Sequence, residues 1–313
     1  MIVNEATRRA EALPVYNRNI PESCAVGYRR QNDWKFVEIL SFYLGGVGTG
    51  LYIFSQFFDY TVGLIIGYLL VVVCKNGAHL LASSKPFRSL GVLSQPCSSW
   101  ISRGAYGIFA FAVLGLLDIA MRQGFITASD GMGLVVSLLA GFAAFFIMAY
   151  VGFVFAEARN IGFWNSPAIP VIIVCYSFCM GHALFLAFAS ITGERFIIPL
   201  ALPLFMVLAF TAVLIFFFLM VAYRTRASAR YSVQMLTKGE YSMVFWGGVV
   251  VMGLLIPMGL IAYYTFSLGC EGAAQMIFLP LAGILVLLGG FLFDLCFISA
   301  GVYNPVVDVT QKN

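Results

Sequence analysis

Six ionisable side chains stand inside apolar runs of this chain: Glu38, Lys75, His79, Asp118, His182 and Asp294. A charge in hydrocarbon is expensive, so such groups mark relays or binding sites unless they are paired or reach the interface. Lys75 and His79 are four residues apart, which puts them on one face of a helix. Counted by the helical rise of about 1.5 Å per residue, Glu38 and His79 lie within a turn or so of one membrane boundary. By the same count Lys75 lies a turn deeper and Tyr150 about a turn and a half in. Glu38, Ser41, Lys75, His79 and Tyr150 therefore converge at similar depth on three helices, where they can bind and protonate a polar group. Blander roles are open to each. Lys75 and His79 can snorkel to headgroups, Glu38 can neutralise Lys75 or Arg103, and Asp118 and Asp294 can be isolated, paired or protonated acids.

The elements that must hold these groups follow from composition. Of 313 residues 61% are hydrophobic and only 10% charged, against about a quarter charged in a soluble domain. This excludes a cytosolic globular enzyme, a nucleic-acid binder and a disordered protein. A hydrocarbon core about 30 Å thick needs roughly 20 apolar residues per helix. Eight runs qualify, at about 36–58, 60–83, 104–122, 131–155, 166–190, 197–222, 241–265 and 273–300. Their length argues against a β-barrel, which uses short alternating segments. An even number of spans puts both termini on one face, side A.

Basic residues are lopsided between the faces. Side A receives Arg8, Arg9, Arg18, Arg29, Arg30, Lys35, Lys85, Arg88, Arg103, Arg159, Arg224, Arg226, Arg230, Lys238 and Lys312, whereas side B receives Arg122 and Arg195. The positive-inside rule makes side A cytoplasmic. Side A also holds the longer connections, the first 35 residues, 84–103 and 223–240. Residues 1–35 are polar, with no apolar run behind a charged start, and read as mature protein rather than a signal peptide. All four tryptophans (34, 100, 164, 246) fall at side A ends of spans, as an interfacial belt or a docking surface for a partner.

Gly45, Gly46, Gly48 and Gly50 sit within the first span. They follow no strand, so they are no dinucleotide loop, and Gly46 with Gly50 forms a G-x-x-x-G step for close helix approach. Pro167, Pro170, Pro199 and Pro203 stand near span starts, where a missing N–H costs little. The cysteines at 24, 74, 97, 175, 179, 270 and 296 have no metal-ligand spacing and read as small buried hydrophobes. The two histidines, His79 and His182, differ in depth by roughly 20 Å on the helical rise, so they cannot hold one haem. The chain is expected to carry neither haem nor iron–sulfur cluster.

Three stretches, WKFVEILSFYLGGVGTGLY (34–52), SSWISRGAYG (98–107) and YVGFVFAEARNIGFWNSPAIP (150–170), together resemble the NrfD / polysulfide-reductase membrane-subunit family over about residues 34–190. The resemblance implies an all-α integral membrane protein of eight transmembrane helices in two four-helix bundles, 36–155 and 166–300. These would lie between a cytoplasmic N-terminal segment (1–35) and a tail (301–313), in a bacterial or archaeal cytoplasmic membrane. It further implies electron exchange between a membrane quinone (menaquinone or ubiquinone) and a four-cluster iron–sulfur ferredoxin-like subunit wired to a molybdopterin catalytic subunit. Quinone contacts in the polysulfide-reductase member come from span 1 and a tyrosine of span 4. By position these fall at Glu38, Ser41 and Tyr150; that relative carries an amide and an imidazole where this chain has a carboxylate and a hydroxyl.

Residue chemistry and resemblance point to one place. A quinone head needs two hydrogen-bonding groups and a proton supply. Tyr150 can donate to one carbonyl, His79 or Lys75 can contact the other, and Glu38 can shuttle a proton. Trp100, Arg103 and Trp164 are candidates for the partner contact or the site rim. Two other functions compete: a secondary transporter, or a proton-translocating subunit with Asp118, His182 and Asp294 along a proton path. Substrate sites of transporters normally lie at the midplane, whereas the cluster here is off-centre.

Overall fold

Hydrocarbon satisfies no backbone group, so each apolar run must close its own hydrogen bonds as a helix. A computed structural model describes residues 28–82, 91–192, 200–267 and 275–304. The eight runs become Phe36–Phe57 (span 1), Thr61–Ala82 (span 2), Trp100–Arg122 (span 3) and Asp130–Ala156 (span 4) in the first half. The second half contributes Ala168–Thr192 (span 5), Ala201–Thr225 (span 6), Val244–Phe266 (span 7) and Met276–Ser299 (span 8). All are long and apolar enough to cross a bilayer, and the chain is a multi-pass integral membrane protein. Large apolar side chains such as Phe109, Leu116, Phe210 and Phe216 are exposed along spans 3 and 6, a surface that water would not tolerate. Arg8, Arg9, Arg18, Cys24, Lys85, Arg88, Arg195, Pro199, Cys270, Lys312 and the tail from 305 lie outside the described residues.

Local signals set the ends. Ser99 and Ser129 accept backbone N–H bonds from Ser102 and Met132 and so cap spans 3 and 4. Span 3 thereby starts four residues before its apolar run, taking Trp100 and Arg103 into the helix. Pro167 precedes span 5, and Pro170 and Pro203 occupy first turns. Two spans depart from α geometry: Leu70–Lys75 in span 2 and Val244–Leu255 in span 7 are π-helical. The second of these runs up to Pro257, whose ring nitrogen has no proton to give.

Span 1 lies at the centre, packed on spans 2, 4, 5 and 8. A Cβ on Gly50 would fall 2.5 Å from the Ser177 carbonyl, and one on Gly181 would fall 2.2 Å from the Gly50 carbonyl carbon. The G-x-x-x-G step thus brings the backbones of spans 1 and 5 into contact across the seam between the halves. On side A the two ends of the chain meet: β1 (Arg29–Arg30) pairs antiparallel with β2 (Val302–Tyr303). Gln31 ties the same corner, its side-chain amide donating to the carbonyls of Trp34 and Ile298. The stretch 223–240, read from sequence as a loop, instead carries span 6 on to Thr225 and then forms a short helix, Ala227–Thr237. That helix buries Ala229, Val233, Met235 and Leu236 and turns Arg230 outward.

Candidate functional site

The π-turn of span 2 ends on Lys75, and π-bulges recur at functional positions because they re-aim a side chain and free a carbonyl. Here the Ser41 hydroxyl of span 1 donates to the Lys75 carbonyl at 3.0 Å. Ser41 is therefore a positioning group. The Lys75 stem lies along Gly45, where a Cβ would stand 2.9 Å from Cδ. Lys75 is 2% exposed, and its ammonium sits 5.8 Å from the centroid of the Tyr150 ring. That ring in turn lies flat on span 3: a Cβ on Gly104 would be 2.3 Å from Cδ2. Two glycines thus make the space that one lysine and one tyrosine fill.

Neither the Lys75 ammonium nor the Tyr150 hydroxyl has a hydrogen-bond partner among the described residues, and no carboxylate there comes within 4.0 Å of the ammonium. A cation–π contact contributes about 0.5–2 kcal/mol. Removing an ammonium from water costs several kcal/mol. The contact alone does not offset a cost of that size.

On the same two helices Glu38 stands three residues before Ser41 and His79 four residues after Lys75. Glu38 is half-buried and accepts the Lys35 backbone N–H at 3.1 Å, so one of its oxygens caps span 1. His79 is exposed on span 2, within electrostatic reach of Lys75 and Glu38. Ser41, Lys75 and Tyr150 are brought together; Glu38 and His79 flank them.

Trp100 and Arg103 serve the loop before span 3. Arg103 donates to the carbonyls of Pro96 at 2.9 Å and Cys97 at 2.6 Å, and its guanidinium lies 4.5 Å from the Trp100 ring, which stacks on Phe153. Trp164 is 3% exposed, donates to the Phe297 carbonyl at 3.2 Å and packs among Trp34, Phe155 and Phe297. Its position is interior, beneath the surface a partner would touch.

The three remaining ionisable groups occupy separate surroundings. Asp118, 2% exposed, is held by Tyr52 at 2.7 Å, Gln56 at 3.1 Å and Arg122 at 2.9 Å. Arg122 also reaches Ser137 at 2.8 Å and pairs with Asp59. His182 stacks on Phe54 at 4.3 Å with its Nε2 unpartnered. Asp294 neighbours Tyr43 and Tyr176. No hydrogen bond or ion pair among the described residues links these three. Sequence reading missed the ring of partners around Asp118, although the four-residue spacings Tyr52–Gln56 and Asp118–Arg122 were visible signals. It also missed Tyr43, Tyr176 and Gln31, which carry no distinguishing pattern. Among the described residues no three His, Cys, Asp or Glu side chains gather as a metal site would require.

Comparison with known proteins agrees with this architecture. The family profile described as "Polysulphide reductase, NrfD" matches residues 26–305. "Protein NrfD" of Escherichia coli (strain K12) is 27% identical over 147 residues, which is 44% of this chain and 46% of that protein. The matched part is thus about half the length of that relative. With the profile spanning nearly the whole chain, the protein belongs to the NrfD, or polysulphide reductase, family of membrane subunits.

Proposed function

We propose that this chain is the quinone- or quinol-reactive membrane subunit of a multi-subunit oxidoreductase. One observation carries the reading: on two buried residues the Lys75 ammonium stands 5.8 Å from the centroid of the Tyr150 ring, and neither that ammonium nor the Tyr150 hydroxyl has a hydrogen-bond partner among the described residues. A quinone head presents two acceptor carbonyls, and each becomes a hydroxyl when two electrons and two protons are taken up. Lys75 serves one oxygen and Tyr150 the other. Ser41 sets the lysine through its backbone, and His79, with the uncapped oxygen of Glu38, passes protons from side A. The lysine stem is flexible, so its end can withdraw from the space beside Gly45 to admit the head.

Electrons arrive from or leave to an iron–sulfur ferredoxin-like subunit docked on side A, which connects to a molybdopterin catalytic subunit. The excess of basic residues on side A makes that face cytoplasmic. The test is quinone turnover by the copurified complex carrying Lys75→Met or Tyr150→Phe, with subunit content checked by gel and iron by absorbance. Loss of turnover in intact complexes supports the reading. Turnover equal to the parent's in both variants overturns it.

A further inference from the structure

Adjacent residues of span 1 face two different places. Gly45 touches Lys75, but Gly46 touches Ser177 of span 5, and there the interior is incompletely filled. Where spans 1, 4, 5 and 8 meet, a cavity of about 20 Å³ is walled by Phe42, Met148 and Phe155 and opens onto Tyr176, Ser177 and Asp294. That volume holds one water, and a buried water needs two to four polar partners.

The polar groups facing it lack partners. The Tyr176 hydroxyl is buried without a hydrogen bond, while its ring is fixed by stacking on Phe293 at 4.9 Å and 7°. Asp294 has no hydrogen bond or ion pair among the described residues, and no Lys or Arg of those residues lies within 4.0 Å of it. Asp294 is half-buried and lines this cavity. The titratable groups facing it are Tyr43 from span 1 and Tyr176 from span 5, with Cys179 behind the latter. Span 4 lines the cavity with apolar side chains, and the π-helical stretch of span 7 contains no titratable residue. Two residues with unpartnered polar groups thus line one water-sized space, and buried polar groups are as a rule hydrogen-bonded, to protein or to ordered water.

We infer that this cavity binds one ordered water bridging the Asp294 carboxyl and the Tyr176 hydroxyl, and that Asp294 holds an exchangeable proton there. The site is a proton-holding station where spans 1, 4, 5 and 8 meet, distinct from the Lys75–Tyr150 pair and independent of what that pair binds. Asp294 lies five residues from the side A end of span 8, roughly 8 Å by the helical rise, so exchange runs to side A. Asp118 differs, because its oxygens already have partners in Tyr52, Gln56 and Arg122.

Infrared spectroscopy of the full-length protein in lipid nanodiscs tests this. At neutral pH the parent is expected to show a protonated-carboxyl stretching band that moves in heavy water and is missing from Asp294→Asn. In Tyr176→Phe, which keeps the stacked ring, the band should rise in frequency as the bridge is lost, and in Lys75→Met it should stay in place. A parent without a heavy-water-sensitive carboxyl band overturns the inference, and this arm needs no variant to fold. So does a band indifferent to Tyr176→Phe, or one displaced by Lys75→Met.

Discussion

Two cations of the spans have opposite surroundings, Arg122 half-buried at the end of span 3 and Lys75 buried within span 2. Arg122, toward side B, gives its donors to Asp118, Asp59 and Ser137, and Asp118 is further held by Tyr52 and Gln56. Lys75, toward side A, gives its donors to nothing among the described residues and rests against the face of Tyr150. A charge in the membrane interior is thus not one kind of feature. Where a charge is answered by several partners it ties helices together; where it is left open, as at Lys75, the fold bears a cost that none of the described residues offsets by a hydrogen bond or ion pair.

The contrast can be broken most forcefully at Asp118. Asp118→Ala leaves the Tyr52 hydroxyl without its partner and takes one of three partners from Arg122, and is expected to cost about 1–3 kcal/mol of stability, read as an earlier thermal transition in detergent. If the transition does not move, the network is ornamental and the comparison fails. Next comes Lys75→Met, which should leave stability unchanged or raise it by about 1–3 kcal/mol, since a buried unpaired charge is removed. Quinone turnover of the complex should meanwhile fall about 100-fold, within the range for lost acid–base assistance. A destabilised Lys75→Met would mean that the lysine has a structural partner after all. Tyr150→Phe sharpens the comparison further: the ring stays on Gly104, stability should hold within about 0.5 kcal/mol, and turnover should fall about tenfold, the cost of one donor.

The smallest effect is expected at the surface corner where the chain ends meet. Burial and the hydrogen bond to Asp33 raise the pKa of Tyr303 above its ordinary value near 10. A raised pKa means stability that is complete below the unfolded value and lost as pH rises through the folded one. Hydrogen-exchange protection at residues 29–31, corrected for the intrinsic base-catalysed rate, should therefore fall only at alkaline pH, and Tyr303→Phe should abolish that pH step.

Much of the fold was legible because a bilayer imposes one length on every span, and eight apolar runs of that length stand out of the sequence. Boundaries shifted where polar residues are helical: the Ser99 cap carries span 3 back through Trp100 and Arg103. The helix at 227–237 was hidden by its mixture of serine, alanine and arginine, which reads as a loop until one face is seen buried. Depth arithmetic sufficed to gather Ser41, Lys75 and Tyr150. The π-turn that aims Lys75 was illegible, because a one-residue change in hydrogen-bond register leaves no mark in side-chain type. Glu38 illustrates another limit: the same carboxylate that looks like a proton carrier is also placed to cap a helix, and only coordinates tell which oxygen is spent.

The pairing of Arg29–Arg30 with Val302–Tyr303 has a consequence for how the protein is made. Arg29–Arg30 must wait until the eighth helix is threaded and Val302–Tyr303 is synthesised before it finds its mate. The surface that these two segments weave on side A is accordingly completed only after all eight spans, and a chain cut short of residue 302 would offer other subunits an altered face.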